Sequence, residues 1–154
     1  MKLLMVCLGN ICRSPMAEGI MRSKITNYHL NAIVDSCGTA DYHIGDSPDR
    51  RAQQTLRKNG ADISNLKGRQ FEISDFDKFD RIFAMDENNY FDLISLARND
   101  MDKSKVEMIM NQVYPNENIP VPDPYYGGME GFDNTYKMLD LACENISTQI
   151  KTQK

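Results

Sequence analysis

Short apolar runs alternate with amphipathic stretches along most of the chain. Leu3–Cys7 is a continuous apolar run of the kind that forms a strand buried on both faces. Ser14-Pro15 then supplies an N-cap and a first helical position, predicting a helix to about Tyr28. Ala32–Asp35 reads as a second strand. Ser47-Pro48 opens a second helix, which Asn59-Gly60 stops. Ser74 with Asp77 forms a capping-box pattern for a short helix, followed by a strand over Arg81–Met85. Asp86–Arg98 predicts one further helix and Val106–Met110 a fourth strand. Residues 114–128 hold four of the six prolines and two adjacent glycines, so a long loop is expected there. The clearest period comes last. Phe132, Tyr136, Leu139, Cys143, Ile146 and Ile150 recur at steps of four and three and make one apolar packing stripe. Strands alternating with helices predict an α/β fold: a doubly wound, four-stranded parallel sheet with helices on both faces.

The 154 residues suffice for a single domain, expected over 1–154, and 41% hydrophobic with 26% charged residues excludes the disordered and low-complexity classes. Eighteen basic against 22 acidic residues give a net charge of -4, which argues against nucleic acid as the partner. An anionic ligand must therefore be drawn by a local site. No apolar run approaches the roughly 18 residues of a membrane span. The apolar opening Met1–Leu8 stops at Gly9-Asn10, with Arg13 following, which is too short for a signal peptide. Neither Met5 nor Val6 is small enough for a lipoprotein anchor at Cys7. The expected location is the cytoplasm.

In a reducing compartment the four cysteines are expected to be unpaired, with Cys37 and Cys143 as packing residues. There is no Cys-x-x-Cys, and the two histidines, His29 and His43, read as surface or capping residues. No metal site or cofactor is expected.

Chemistry concentrates at the junction of the first strand and first helix, Cys7-Leu8-Gly9-Asn10-Ile11-Cys12-Arg13-Ser14-Pro15. In doubly wound folds ligands bind outside the carboxyl ends of the strands, against helix N-termini. Successive backbone N–H groups and the helix dipole make such a loop a cradle for a dianion. Gly9 and Asn10 tolerate the positive φ angles it requires. Arg13 offers a planar fork for two phosphate oxygens. Cys7, at the strand end, lies in the same positive field, which favours the nucleophilic thiolate, and Ser14 could donate to it. The loop is not a Walker loop, because Gly-Lys-Ser/Thr is absent.

The Cys-x5-Arg-Ser block, with Asp123-Pro124-Tyr125-Tyr126 near the other end, resembles the low-molecular-weight protein tyrosine phosphatase family. Val34-Asp35-Ser36, Ser47-Pro48-Asp49, Arg69-Gln70 and Ala84-Met85-Asp86-Glu87 match in order between them. The resemblance implies Cys7 as nucleophile, Arg13 as phosphate clamp and Asp123 as general acid. It implies Asn10, Ser14 and Ser36 as the hydrogen-bonded support of a phosphate-binding loop that also includes Leu8, Gly9, Ile11 and Cys12. Tyr125 and Tyr126 would line the mouth with Tyr42 opposite, flat walls for a substrate ring. One departure stands out: many relatives carry a histidine where this chain has Leu66.

Other readings make different demands. An arsenate reductase needs a further pair of redox cysteines, and Cys37 and Cys143 stand alone. A phosphoarginine phosphatase is expected to carry threonine where Ile11 stands. A phosphoprotein-binding module without turnover needs no nucleophile, clamp and acid together. The sequence and the resemblance together imply a monomeric cytoplasmic phosphatase acting on phosphotyrosine proteins through a phosphocysteine, with a tyrosine kinase as a plausible partner.

Overall fold

A computed structural model describes residues 1–153. Its sheet is four-stranded and wholly parallel, in the order β2 (Ile33–Gly38), β1 (Lys2–Cys7), β3 (Arg81–Ala84), β4 (Val106–Met108). Six helices join or follow the strands: α1 (Arg13–Asn27), α2 (Arg50–Lys58), α3 (Asp75–Lys78), α4 (Glu87–Leu96), α5 (Asp100–Ser104) and α6 (Met129–Thr152). From β1 the chain passes to β2 on one side and then crosses back to β3 on the other. The switch point of the sheet is therefore at β1, whose last residue is Cys7.

Both faces of β1 are buried, as a central parallel strand requires. Leu3 and Met5 join a large core with α1, α2 and α6, containing Met16, Ile20, Leu56, Phe132 and Ile146. Leu4 and Val6 join a smaller core on the opposite face with Phe76, Phe79, Ile82 and Leu93. Phe76, Phe83 and Phe132 are wholly buried, each contributing about 1.5–3 kcal/mol relative to exposure. The stripe on α6 is borne out: Phe132, Leu139, Cys143, Ile146 and Ile150 are buried and Tyr136 packs at their edge.

Several boundaries differ from the sequence expectations. β2 runs on to Gly38, because Met5, Val6 and Cys7 pair with Ser36, Cys37 and Gly38. The α2 cap is Asp49, whose carboxylate accepts from the Arg51 N–H, and not Ser47. Ser74 makes no capping bond; Asp75 accepts from the Glu72 N–H instead. The stretch expected as one helix over 86–98 ends at Leu96, and Asn99 caps a separate short α5. β4 stops at Met108 and passes into a 3-10 turn over Ile109–Gln112. Residues 114–128 form no helix or strand, as expected. No helix among the described residues is long and apolar enough to cross a membrane.

Candidate active site

Residues 8–12 join the end of β1 to the first turn of α1. Asn10 takes a positive φ of 57°, the conformation expected of the loop, whereas Gly9 does not. Gly9 is small for another reason: a Cβ there would lie 3.1 Å from the His43 ring. The Asn10 N–H donates to Cys7 Sγ at 3.3 Å. The N–H groups of Gly9, Ile11 and Cys12 donate to no acceptor among the described residues, which leaves them for an anion.

Ser14 is not the N-cap of α1. The helix starts two residues earlier than expected, at Arg13, with Cys12 in the cap position and no side-chain cap bond. Pro15 is accommodated because the first-turn N–H groups have no helical acceptor. Freed from capping, the Ser14 hydroxyl sits 3.0 Å from Cys7 Sγ. A directed network fixes its role. The Arg69 backbone N–H can only donate, and it donates to Asn10 Oδ1 at 3.1 Å. Asn10 Nδ2 must then donate to Ser14 Oγ at 2.8 Å and to Ser36 Oγ at 3.0 Å. Ser36 in turn donates its hydroxyl to Glu18 Oε1 at 2.7 Å. Ser14 thus accepts from Asn10, and its proton is available to Cys7 Sγ or, at 3.3 Å, to the Cys37 carbonyl. Leu66 packs half-buried against the larger core, and the Arg69 N–H holds Asn10 in this chain.

Arg13 is 3% exposed and its guanidinium is divided between two tasks. Nη1 donates to Asp86 Oδ2 at 2.6 Å and to the Val121 carbonyl at 2.9 Å. Nη2 meets Asp123 Oδ2 at 3.7 Å, and Nε donates to no acceptor among the described residues. One edge of the fork is anchored and the other is left for an incoming anion. Burial opposes the charge of Arg13, but Cys7, Asp86 and Asp123 outweigh it and raise its pKa. Asp86 also caps α4 by accepting from the Asn89 N–H, so the anchor of Arg13 is itself fixed to β3's far end.

Asp123 sits on the rim, its Oδ1 accepting from the Tyr125 N–H at 3.0 Å. Cys7, Leu8, Gly9, Ile11, Cys12 and Arg13 floor a cleft of about 260 Å³ whose rim is Asp123, Tyr42, His43, Tyr125 and Tyr126. The Tyr125 and Tyr126 rings meet edge to face, 5.0 Å apart. Cys12 is as buried as Cys7, and burial, with Asp49, Cys7 and Asp123 adding to it, pushes its thiol well up. All four cysteines are free. No group of side chains among the described residues is arranged to hold a metal.

The cleft unites Cys7, Arg13, Asp123 and the three tyrosines, while Asn10, Ser14 and Ser36 lie beneath it. Sequence reasoning passed over Glu18, whose signal was a lone carboxylate in the otherwise apolar or small run Pro15–Met21. Burial raises its pKa against the opposing effects of Ser36 and Arg22. It also left His43 as a surface or capping residue, although the ring covers Gly9 and is hydrogen-bonded to Asp46 at 3.1 Å. No local pattern could have found His43, which reaches the cleft only through the loop after β2.

Gly38, at the end of β2, lies directly beneath the loop. A Cβ there would fall 2.6 Å from the Leu8 carbonyl oxygen and 3.2 Å from the Asn10 nitrogen, both backbone atoms. Gly38→Ala must therefore displace the cradle. We expect turnover to fall by on the order of 10²-fold, the cost of roughly an ångström of misplacement, with the far-ultraviolet circular dichroism retained.

A family model for low molecular weight phosphotyrosine protein phosphatases matches residues 2–154. A Schizosaccharomyces pombe low molecular weight phosphotyrosine protein phosphatase is 42% identical, covering 97% of this chain and 96% of its own. The crystal structure of an Entamoeba histolytica protein tyrosine phosphatase superposes with a TM-score of 0.92 at 41% identity, over 99% of this chain and 97% of the other. A Drosophila arginine phosphatase structure superposes equally well, TM-score 0.92, at 34% identity over the whole of both chains. With its parallel sheet and its strand-to-helix loop in agreement, this chain belongs to the low-molecular-weight phosphotyrosine protein phosphatase family and is a phosphoric monoester hydrolase.

Proposed function

We propose that the chain, working as one phosphatase domain over residues 1–154, hydrolyses protein phosphotyrosine through a phosphocysteine on Cys7. The observation that carries this reading is a single cleft in which Cys7, the free edge of Arg13 and Asp123 face one another. In the first step the Cys7 thiolate attacks phosphorus as the aryl P–O bond breaks. Asp123 gives its proton to the departing phenoxide oxygen. The N–H groups of Gly9, Ile11 and Cys12 and the fork of Arg13 hold the three equatorial oxygens. In the second step water attacks the phosphocysteine, Asp123 takes its proton, and the S–P bond breaks. Ser14, held as a donor, stabilises the thiolate that leaves.

Ile11 in the cleft and the exposed rings of Tyr42, Tyr125 and Tyr126 favour a flat aryl ester over a phosphoguanidinium. The test is turnover of a phosphotyrosyl peptide beside a phosphoarginyl peptide of the same sequence, both in excess chelator. Preference for phosphoarginine overturns the substrate assignment. Among partners this reading implies phosphotyrosine proteins and a tyrosine kinase, to which Tyr126, 90% exposed, is itself accessible. It takes the protein to act as a cytoplasmic monomer.

The two buried thiols of the cleft also support redox sensitivity. Peroxide oxidises the Cys7 thiolate to a sulfenic acid. Cys12 then attacks that sulfur, loses its proton and displaces water, leaving a Cys7–Cys12 disulfide that a thiol reductant reverses. Cys12→Ser should retain turnover but, after peroxide, recover less activity on reduction than the wild type. Equal recovery in both proteins rules Cys12 out as the resolving thiol.

A further inference from the structure

The segment carrying Asp123 has few ties of its own. Pro122 and Pro124 have no N–H, and the bonds from Tyr125 to Asp123 and from Gly127 to Pro124 stay within the segment. Among the described residues, two hydrogen bonds alone join residues 122–127 to another element. Both come from Arg51, in the first turn of α2: Nη1 donates to the Gly127 carbonyl at 2.8 Å and Nη2 to the Tyr125 carbonyl at 2.9 Å. The same guanidinium lies 4.6 Å from the Phe132 ring centroid and 5.6 Å from that of Tyr125, which fixes its plane.

The other side of this fork leads to the phosphate loop. Arg51 Nε and Nη2 each donate to the Asp49 carboxylate at 3.0 Å. Asp49, the cap of α2, donates its own backbone N–H to the Ile11 carbonyl at 2.8 Å. A continuous path therefore runs from Ile11, through Asp49 and Arg51, to Tyr125, whose N–H holds Asp123 Oδ1. The four hydrogen bonds of this one guanidinium cannot be reproduced by an ammonium, which lacks the planar fork.

We propose that Arg51 is a positioning residue that sets the distance between the acid-bearing segment and the phosphate loop, and so delivers Asp123 to the leaving oxygen. The proposal rests on the reading of Asp123 as the acid. Arg51 itself touches neither substrate nor reacting atoms. Its loss should act selectively, on steps that need the proton, and should leave the cradle for phosphate intact.

The experiment measures kcat/KM, which reports phosphoryl transfer to the cysteine, for phenyl phosphate and for an aryl phosphate with a much more acidic phenol. Arg51→Met keeps an apolar stem beside Phe132 and removes the fork. We expect phenyl phosphate to slow by up to about 10²-fold, with little change for the good leaving group. In an Asp123→Asn background the same change should add nothing. Arg51→Lys should fall between, which also serves if the methionine variant does not fold. Arg50→Ala, which removes an exposed neighbouring charge without touching the loop, should behave as wild type. Equal slowing of both substrates, or further slowing on top of Asp123→Asn, overturns the proposal. If Asp123→Asn itself shows no leaving-group dependence, the acid assignment fails, a different result from the failure of Arg51 alone.

Discussion

Cys7→Ser should abolish turnover of every aryl phosphate while leaving phosphate binding in place. The two functions separate because they use different atoms. In the proposed mechanism binding rests on the N–H groups of Gly9, Ile11 and Cys12 and on Arg13, none of which the substitution removes. Attack rests on Cys7 Sγ in the same mechanism, which has Ser14 Oγ at 3.0 Å and the Asn10 N–H at 3.3 Å. A serine hydroxyl in the same place stays protonated near neutrality and is a far weaker nucleophile than a thiolate. Removing the nucleophile of a hydrolase costs on the order of 10⁶-fold in kcat. Wild-type activity should persist in excess chelator, since the loop and Arg13 supply the positive charge. Vanadate, which adopts the five-coordinate geometry of the transition state, should bind the wild type more tightly than phosphate. Steady-state assays and isothermal titration with phosphate measure both halves. Undiminished activity in Cys7→Ser ends the mechanism.

The second large effect belongs to Asp123→Asn. A phenoxide leaving group has a conjugate acid of pKa ~10, so a proton delivered during P–O cleavage removes a costly charge. Loss of a general acid of this type costs about 10²–10⁴-fold. Asparagine keeps the shape, and its Oδ1 can still accept from the Tyr125 N–H, so the segment should stay in place. Phosphotyrosine and phenyl phosphate turnover should fall steeply. An aryl phosphate with an acidic phenol should lose far less in kcat/KM. Three other carboxylates, changed to their amides in parallel, are the controls. Asp86 is committed to Arg13 and to the cap of α4, and Asp133 to Lys58 at 2.6 Å. Glu130 lies in the first turn of α6 and does not line the cleft. If Asp123→Asn slows good and poor leaving groups alike, Asp123 is not the acid, and whichever amide shows the dependence takes the role.

Glu18 illustrates how far a reading of local pattern reaches. As a residue type it belongs on a helix surface, yet it lies 2% exposed and accepts from Ser36 in the network of hydrogen bonds beneath Cys7. Its place depends on Ser36, 18 residues away, and hence on β2 running three residues past the expected end at Asp35. Asp86 is similar. Its helix-capping role could be read locally, since a helix was expected to begin there. Its bond to Arg13 could not, because the two are 73 residues apart and meet only where β1 and β3 lie side by side.

The parts of this protein that the sequence determined by itself are those set by short-range chemistry. Apolar runs make buried strands, a stripe at steps of three and four makes α6, and a Cys-x5-Arg block makes the loop between strand and helix. Tertiary structure decided which groups hold that cradle in shape. Ser14 left its expected cap for the thiol because α1 starts at Arg13. Arg69, Glu18, Asp86 and Arg51 became supports only when parallel pairing brought distant segments to one end of the sheet. The physical reason is that hydrogen-bond partners across a fold are chosen by where the backbone places them, and a one-dimensional pattern carries no distance between residues far apart in the chain.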